Sequence, residues 1–281
     1  MRMNQGIKRN TSLRRPGVSM LLLALIFTGC LCCELFITKN PAYPDLEHYD
    51  TAPCAQFLFG TDTLGRDIFS MIWSGGRISL WIGLMGALLS AAIAVVFGTI
   101  SASMPAWADA LLMRMTEILL SVPGLLPVML LQAVLGQADA GSIAFVIGIT
   151  SWMSMAKVVR ARVRQIRNSE YILAARCMGG SFFYVLRRHL APNVLSSVLF
   201  MAVINIRTAI LTEATLGFMG IGLPVEVISW GSMLSLADQA LFGGSWWIVL
   251  FPGGFLIMTL SCITNIGNYI QACKETRERN L

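Results

Sequence analysis

The sequence predicts an all-α membrane protein with six transmembrane helices, and three observations carry that prediction. Of 281 residues, 56% are hydrophobic and only 13% charged, and the mean hydropathy is +0.68, a balance that soluble domains do not show. The apolar residues gather into six runs with little or no charge, and a bilayer core of ~30 Å needs about 20 such residues per helix at ~1.5 Å each. The net charge of +6 comes from basic residues beside those runs, not from one basic face, which argues against a nucleic-acid surface. The same composition excludes a disulfide-stapled secreted module, a disordered tail and a free cytosolic enzyme.

Residues 1–16 form a cytoplasmic tail in this reading, because Arg2, Lys8, Arg9, Arg14 and Arg15 precede the first apolar run. That run, Pro16 to Cys33, predicts a first transmembrane helix over 17–37. Phe27-Thr28-Gly29-Cys30 imitates a lipoprotein cleavage site, but Phe27 is a poor residue there and the run continues past Cys30. Residues 38–76 then make an outer loop, irregular at first because of Pro41, Pro44 and Pro53. Its end is amphipathic: Leu64, Ile68, Met71 and Ile72 recur at helical spacing while Arg66, Asp67 and Ser70 take other faces. That pattern predicts a helix lying in the membrane interface ahead of the second span.

Five further runs make a core over 77–270: Ile78 to Ala108, Ile118 to Ala138, Ala140 to Ala156, Leu190 to Ile206 with an extension past Arg207, and Leu241 to Ala272. Pro123 and Pro127 predict a bend in the third span, since each removes a backbone donor. With the N-terminus inside, the loop 157–192 is cytoplasmic and brings Lys157, Arg160, Arg162, Arg164, Arg167, Arg176, Arg187 and Arg188. The tail 271–281 adds Lys274, Arg277 and Arg279. Sixteen of the 21 basic residues then share one side, as positive-inside topology requires.

Within that loop, Tyr171, Ala174, Ala175 and Met178 stand at i, i+3, i+4 and i+7 and form one helical face whose small alanines admit a close neighbour. Gly179-Gly180 stops the helix, and Ser181 can cap the segment after it. On pattern alone, packing on the chain's own membrane domain and docking of another protein both remain open.

The stretch resembles the cytoplasmic EAA loop of binding-protein-dependent ABC importer permeases, with Ala174, Ala175, Gly179 and Pro192 matching and Leu173 standing at the namesake glutamate. Phe59-Gly60-Thr61-Asp62-Thr63-Leu64-Gly65-Arg66-Asp67-Ile68-Phe69-Ser70, with Gly76-Arg77-Ile78-Ser79-Leu80 after it, is similar to the signature before the second span of dipeptide, oligopeptide and nickel permeases. Glu213 to Gly222, Trp230 to Leu234 and Phe251-Pro252-Gly253 resemble the C-terminal half of that family. The likeness runs from about Phe59 to Asn268 and points to the second of the two permease subunits such systems use.

The resemblance implies a type I ABC importer permease fold with a cytoplasmic coupling helix, in which Glu170, Tyr171, Ala174, Ala175, Met178 and Gly179 meet an ATPase. It also implies the company the chain keeps: a second permease subunit as heterodimer partner, two cytoplasmic ABC ATPases that hold ATP-Mg, and an extracytoplasmic solute-binding protein delivering peptides or nickel, free or chelated. Gly60, Thr61, Asp62, Gly65, Arg66 and Asp67 are the family signature. No GxxxxGK[ST] loop occurs, so the chain has no recognisable means of holding ATP phosphates, and no cofactor of its own is expected. A self-sufficient secondary transporter or channel is the rival; inverted repeats and paired intramembrane carboxylates would favour it. An enzyme would need a Ser/His/Asp, Cys/His or HExxH arrangement, and none is recognisable.

Charges within spans need explaining, since each costs about 2.5–3.5 kcal/mol to insert. Arg207 is the deepest, fourteen residues past Asn193 and so ~21 Å into the fifth helix. It either lines the solute path or pairs with a buried acid. Glu213 is a candidate, although six residues suit one helical face poorly. Arg114 and Glu117, three apart, can pair along one helix edge. No metal site is expected: His48 and His189 fall on opposite sides of the membrane, and the sixteen methionines are dispersed. The seven cysteines read as small hydrophobes, for the Cys30–Cys33 pair has no second pair or nearby histidine.

Overall fold

The computed structural model describes residues 16–279 apart from 38, 137, 168–190, 225, 238–239 and 241–242. The described residues form helices joined by turns, with one isolated antiparallel bridge between Thr61 and Asp67. The predicted coupling helix, Glu170 to Met178 with Gly179, lies outside them.

The first apolar run forms α1 (Gly17–Leu31), and a turn at Cys32 separates it from the single turn α2 (Cys33–Phe36). The predicted interfacial helix is corrected. Ile68, Met71 and Ile72 belong instead to the opening turns of α3 (Ile68–Ser103), one continuous helix of 36 residues. At ~1.5 Å per residue it is ~54 Å long, well beyond a ~30 Å bilayer core. No helix breaker intervenes between the amphipathic pattern and the apolar run, since Gly75 and Gly76 keep helical geometry and pack against Ser229 and Trp230. Met104 and Pro105 end the helix, so the second run stops short of Ala108.

The third charge-free run falls in a pair of helices that begins earlier than the run, α4 (Ala106–Leu120) and α5 (Leu125–Leu135), bent by 84°. Pro123 sits in the break, as its missing donor predicts. Asp109, Arg114 and Glu117, which fall between the second and third charge-free runs, lie within α4.

Helix α6 (Ala140–Arg167) runs past Ala156 into the basic stretch. Asp139 caps it: its Oδ1 accepts from the Ser142 backbone N–H at 2.6 Å, and its own N–H donates to Ser142 Oγ at 3.0 Å. Hydrogen bonds from Ser142 to the exposed Asp139 carboxyl, the backbone one foremost, hold it below the usual carboxylate range. Helices α7 (Ala191–Phe218), α8 (Trp230–Leu234) and α9 (Trp247–Arg279) complete the chain. The last helix starts at Trp247, after a turn at Gly244, where φ is +82°.

Contacts fix the helix directions. Gly86 meets Ala144, and Gly98 meets Ala156 and Val159, so α3 and α6 run parallel. Ser79 binds Trp230, Gly83 meets Ile210, and Asn205 Nδ2 donates to Ser90 Oγ at 3.0 Å, so α7 runs back along α3. Asn265 of α9 reaches Ser19 of α1 at 3.2 Å, while Gly29 packs on Trp73. A Cβ on Gly98 would stand 2.7 Å from the Ala156 carbonyl oxygen, a backbone approach that small residues permit between membrane helices.

Four helices are long and apolar enough to cross a membrane: α3, α6, Val198–Phe218 of α7 and Trp247–Cys273 of α9. The α4–α5 pair, taken as one span, is a fifth, and α1 is apolar but has only 15 residues.

Candidate functional site

The helices close into two ends of different chemistry. Residues 59–70 build the first, here termed the signature end. The Asp62 carboxylate is buried and accepts backbone N–H bonds from Leu64 at 2.9 Å and Arg66 at 2.8 Å. Its Oδ2 also takes the Arg66 Nε at 2.7 Å. Asp67 caps α3, accepting the Ser70 N–H at 3.0 Å and hydroxyl at 2.5 Å. Thr61 Oγ1 donates to the His48 carbonyl at 2.6 Å and accepts from the Thr51 N–H at 2.8 Å. Gly60 and Gly65 have φ of +76° and +73°. At Gly65 an added Cβ would fall 1.8 Å from the Asp45 carbonyl oxygen, so both angle and space demand glycine.

The other signature blocks converge on the same end. Phe59 stacks on Phe251 with ring centroids 4.3 Å apart, and Trp247 Nε1 donates to the Thr61 carbonyl at 3.1 Å. Trp230, with no exposed surface, donates from Nε1 to the Ile72 carbonyl at 2.9 Å and from its backbone to Ser79 Oγ at 3.1 Å. A Cβ on Gly217 would lie 2.6 Å from the Gly231 carbonyl carbon, and one on Gly231 would lie 2.8 Å from Ala214 Cα. The α7 and α8 backbones touch there. Glu213 is 1% exposed, faced by Ser79 and Ser229, and its Oε2 has no hydrogen-bond partner among the described residues. All six predicted signature residues thus act in a folded cap that seats α3.

Between the ends lies Arg207, sixteen residues beyond Ala191, ~24 Å along α7. It lines a groove of about 300 Å³ between α7 and α9 with Leu211, Ile257, Leu260, Ser261, Thr264 and Asn265. Its Nη1 donates to Thr264 Oγ1 at 3.3 Å. The structure does not bring Arg207 to Glu213: the first faces α9 and the second faces α3 and α8, as their six-residue separation along one helix dictates.

The second end, here termed the arginine end, centres on Asp109, which sequence reading missed. Its side chain is 3% exposed, on the first turn of α4. Both its oxygens take Arg160 of α6, one from Nε at 2.5 Å and the other from Nη2. Arg164 Nη2 donates to it at 2.6 Å and Ser101 Oγ at 2.6 Å. Arg167 reaches the Ala102 carbonyl at 3.2 Å. Further along α4, Glu117 pairs with Arg114, as predicted, and with Lys157, both at 3.5 Å. The overlooked signal was Arg160 and Arg164, one helical turn apart and four residues being enough to aim both at one acid. Among the described residues, no group of three or more His, Cys, Asp or Glu could hold a metal ion.

Known proteins share this arrangement of sequence. Residues 94–272 match the family described as binding-protein-dependent transport system inner membrane component. The chain is 34% identical over 260 residues to the dipeptide transport system permease protein DppC of Bacillus subtilis, covering 92% of this chain and 81% of that one. It is 35% identical over 262 residues to the oligopeptide transport system permease protein OppC of the same organism, covering 93% and 85%. With OppC of Salmonella typhimurium it shares 33% identity over 284 residues, covering 98% and 91%.

Proposed function

This chain belongs to the family of binding-protein-dependent transport system inner membrane components, and on that premise we propose that it is one of two permease subunits of an ATP-driven peptide importer, forming half of the path through the membrane. As a multi-pass inner membrane component it is a transport subunit and not an enzyme. The observation that carries the proposal is the extent of likeness, 33% to 35% identical across 92% or more of the chain, to relatives named for dipeptides and oligopeptides. None of the relatives named above is named for nickel, so peptide is the cargo proposed. The expected company is a second, related permease, two ATPases holding ATP-Mg and an extracytoplasmic binding protein.

In this reading the chain crosses the membrane six times, through α1, α3, α4–α5, α6, α7 and α9. Helices α1 and α2 together cover Gly17 to Phe36, about 20 residues and so ~30 Å. Positive-inside topology places the arginine end and both termini in the cytoplasm and the signature end outside. The segment 168–190 comes directly after α6 and is the proposed coupling element, with Glu170, Tyr171, Ala174, Ala175, Met178 and Gly179 against an ATPase. Arg207, whose groove holds hydroxyl and amide groups but no acid, lines the path and meets anionic cargo there. Replacing Arg207 with Met should spare assembly and depress uptake most for anionic peptides.

The experiment is uptake of radiolabelled dipeptides, oligopeptides and nickel in a strain lacking this chain. Loss of peptide uptake, restored by the chain only while ATP is available, is the expected result. Loss of nickel uptake alone would overturn the cargo. Peptide uptake restored without ATP would instead favour a secondary transporter.

A further inference from the structure

We infer that Asp109 is a positioning residue that makes α4 move as one body with the end of α6, so that displacement of segment 168–190 reaches the third span. The inference rests on the coupling role proposed above for that segment. Among the described residues, α4 buries only Asp109, Met113 and Thr116 of its fifteen residues. Leu111, Met115, Ile118 and Leu119 are exposed. Within this chain the helix therefore has little apolar hold on its neighbours. Its most buried ionic tie is one carboxylate, 3% exposed, gripped by Arg160 and Arg164 from consecutive turns of α6, and the Glu117–Lys157 pair is a second, more exposed one.

Position makes that attachment directional. Arg164 and Arg167 occupy the last turn of α6, immediately before residue 168, and Arg167 also holds the end of α3 through the Ala102 carbonyl. Any force on the adjoining segment meets these arginines first. Apolar ridges let packed helices slide, whereas charge-assisted, forked hydrogen bonds fix both distance and angle. The far end of α4 is free to respond: the chain breaks at Ser121 to Gly124, bends by 84°, and a Cβ on Gly124 would meet nothing within 4 Å. The clamp and the bend thus make α4 a lever driven from α6.

The test uses the whole importer reconstituted in proteoliposomes, with Asp109→Asn, Asp109→Glu, Arg164→Gln and Ala175→Glu variants. Asp109→Asn should keep binding-protein-stimulated ATP hydrolysis while peptide uptake per ATP falls about tenfold or more, the usual scale of coupling between sites. Asp109→Glu, which retains the charge, should recover most of it. Should Asp109→Asn not assemble, Arg164→Gln leaves the carboxylate paired with Arg160 and should still lower the ratio. Spin labels at the exposed positions Trp107 and Val158 should keep one separation through the ATP cycle, and that separation should spread in Asp109→Asn. A wild-type separation that changes with ATP, or an unchanged uptake-to-ATP ratio in both Asp109→Asn and Arg164→Gln, would overturn the inference. Normal coupling in Ala175→Glu would separately contradict the coupling role of segment 168–190.

Discussion

The signature end and the arginine end hold the same helices by different means. At the first, backbone N–H groups, left-handed glycines and stacked aromatic rings meet over contacts too close for any other residue. At the second, one acid is shared among two guanidinium groups and a hydroxyl, and most of α4 is not buried against the rest of this chain. Steric contacts tolerate one arrangement, because a packed backbone has nowhere to go. Charged forks can carry a load between elements that otherwise slide. In the proposed orientation, the difference suits a subunit fixed on the side where solute arrives and driven from the side proposed to meet the ATPases.

The largest expected effect breaks the first end. Gly65→Ala combines a forbidden approach to Asp45 with a backbone angle costing about 1–3 kcal/mol for a non-glycine residue. The yield of folded, membrane-inserted protein should collapse, as fluorescence-monitored size exclusion would show. Next is Asp109→Ala, which leaves two guanidinium groups facing a vacated site. Breaking a buried pair costs about 3–5 kcal/mol, and the partly exposed Arg164 should hold the loss in thermal unfolding near the lower figure. Trp230→Phe is milder. It removes the bond to the Ile72 carbonyl and leaves part of a fully buried site unfilled, and should cost ~2 kcal/mol with uptake intact.

The smallest effect is pH-dependent. Hydrogen bonds from Ser142 lower the folded pKa of Asp139 from 3.8. The stabilisation is therefore full above the unfolded value and lost as pH falls through the folded one. Thermal stabilities of the wild type and Asp139→Ala should differ near neutrality and converge in acid. A constant difference across that range would remove the cap from the account.

Local chemistry was legible in the sequence, and long-range chemistry was not. Pro123 announced the break in the third span, and Arg114 announced Glu117, because each effect acts within a turn of its own helix. The signature block was recognisable as a string, yet nothing in it shows that Phe59 would stack on Phe251, or Gly217 lie against Gly231. Those contacts exist only once α3, α7 and α9 are packed. Asp109 was hidden for a related reason. Counting charge-free runs ended the second at Ala108 and made its neighbour a loop residue, whereas Arg160 and Arg164, 51 and 55 positions away, neutralise it inside a helix. Glu213 was one candidate partner for Arg207, weakened by a six-residue spacing that suits one face poorly, and the helix does turn the two apart.

The division of labour between the ends is tested most directly by peptide taken up per ATP hydrolysed, measured side by side for Trp230→Phe and Arg164→Gln. Each removes one hydrogen-bonded contact, and each leaves its neighbours otherwise paired. The account predicts that Trp230→Phe keeps the wild-type ratio and Arg164→Gln lowers it while ATP hydrolysis continues. Equal loss in both variants, or loss in Trp230→Phe alone, would contradict it.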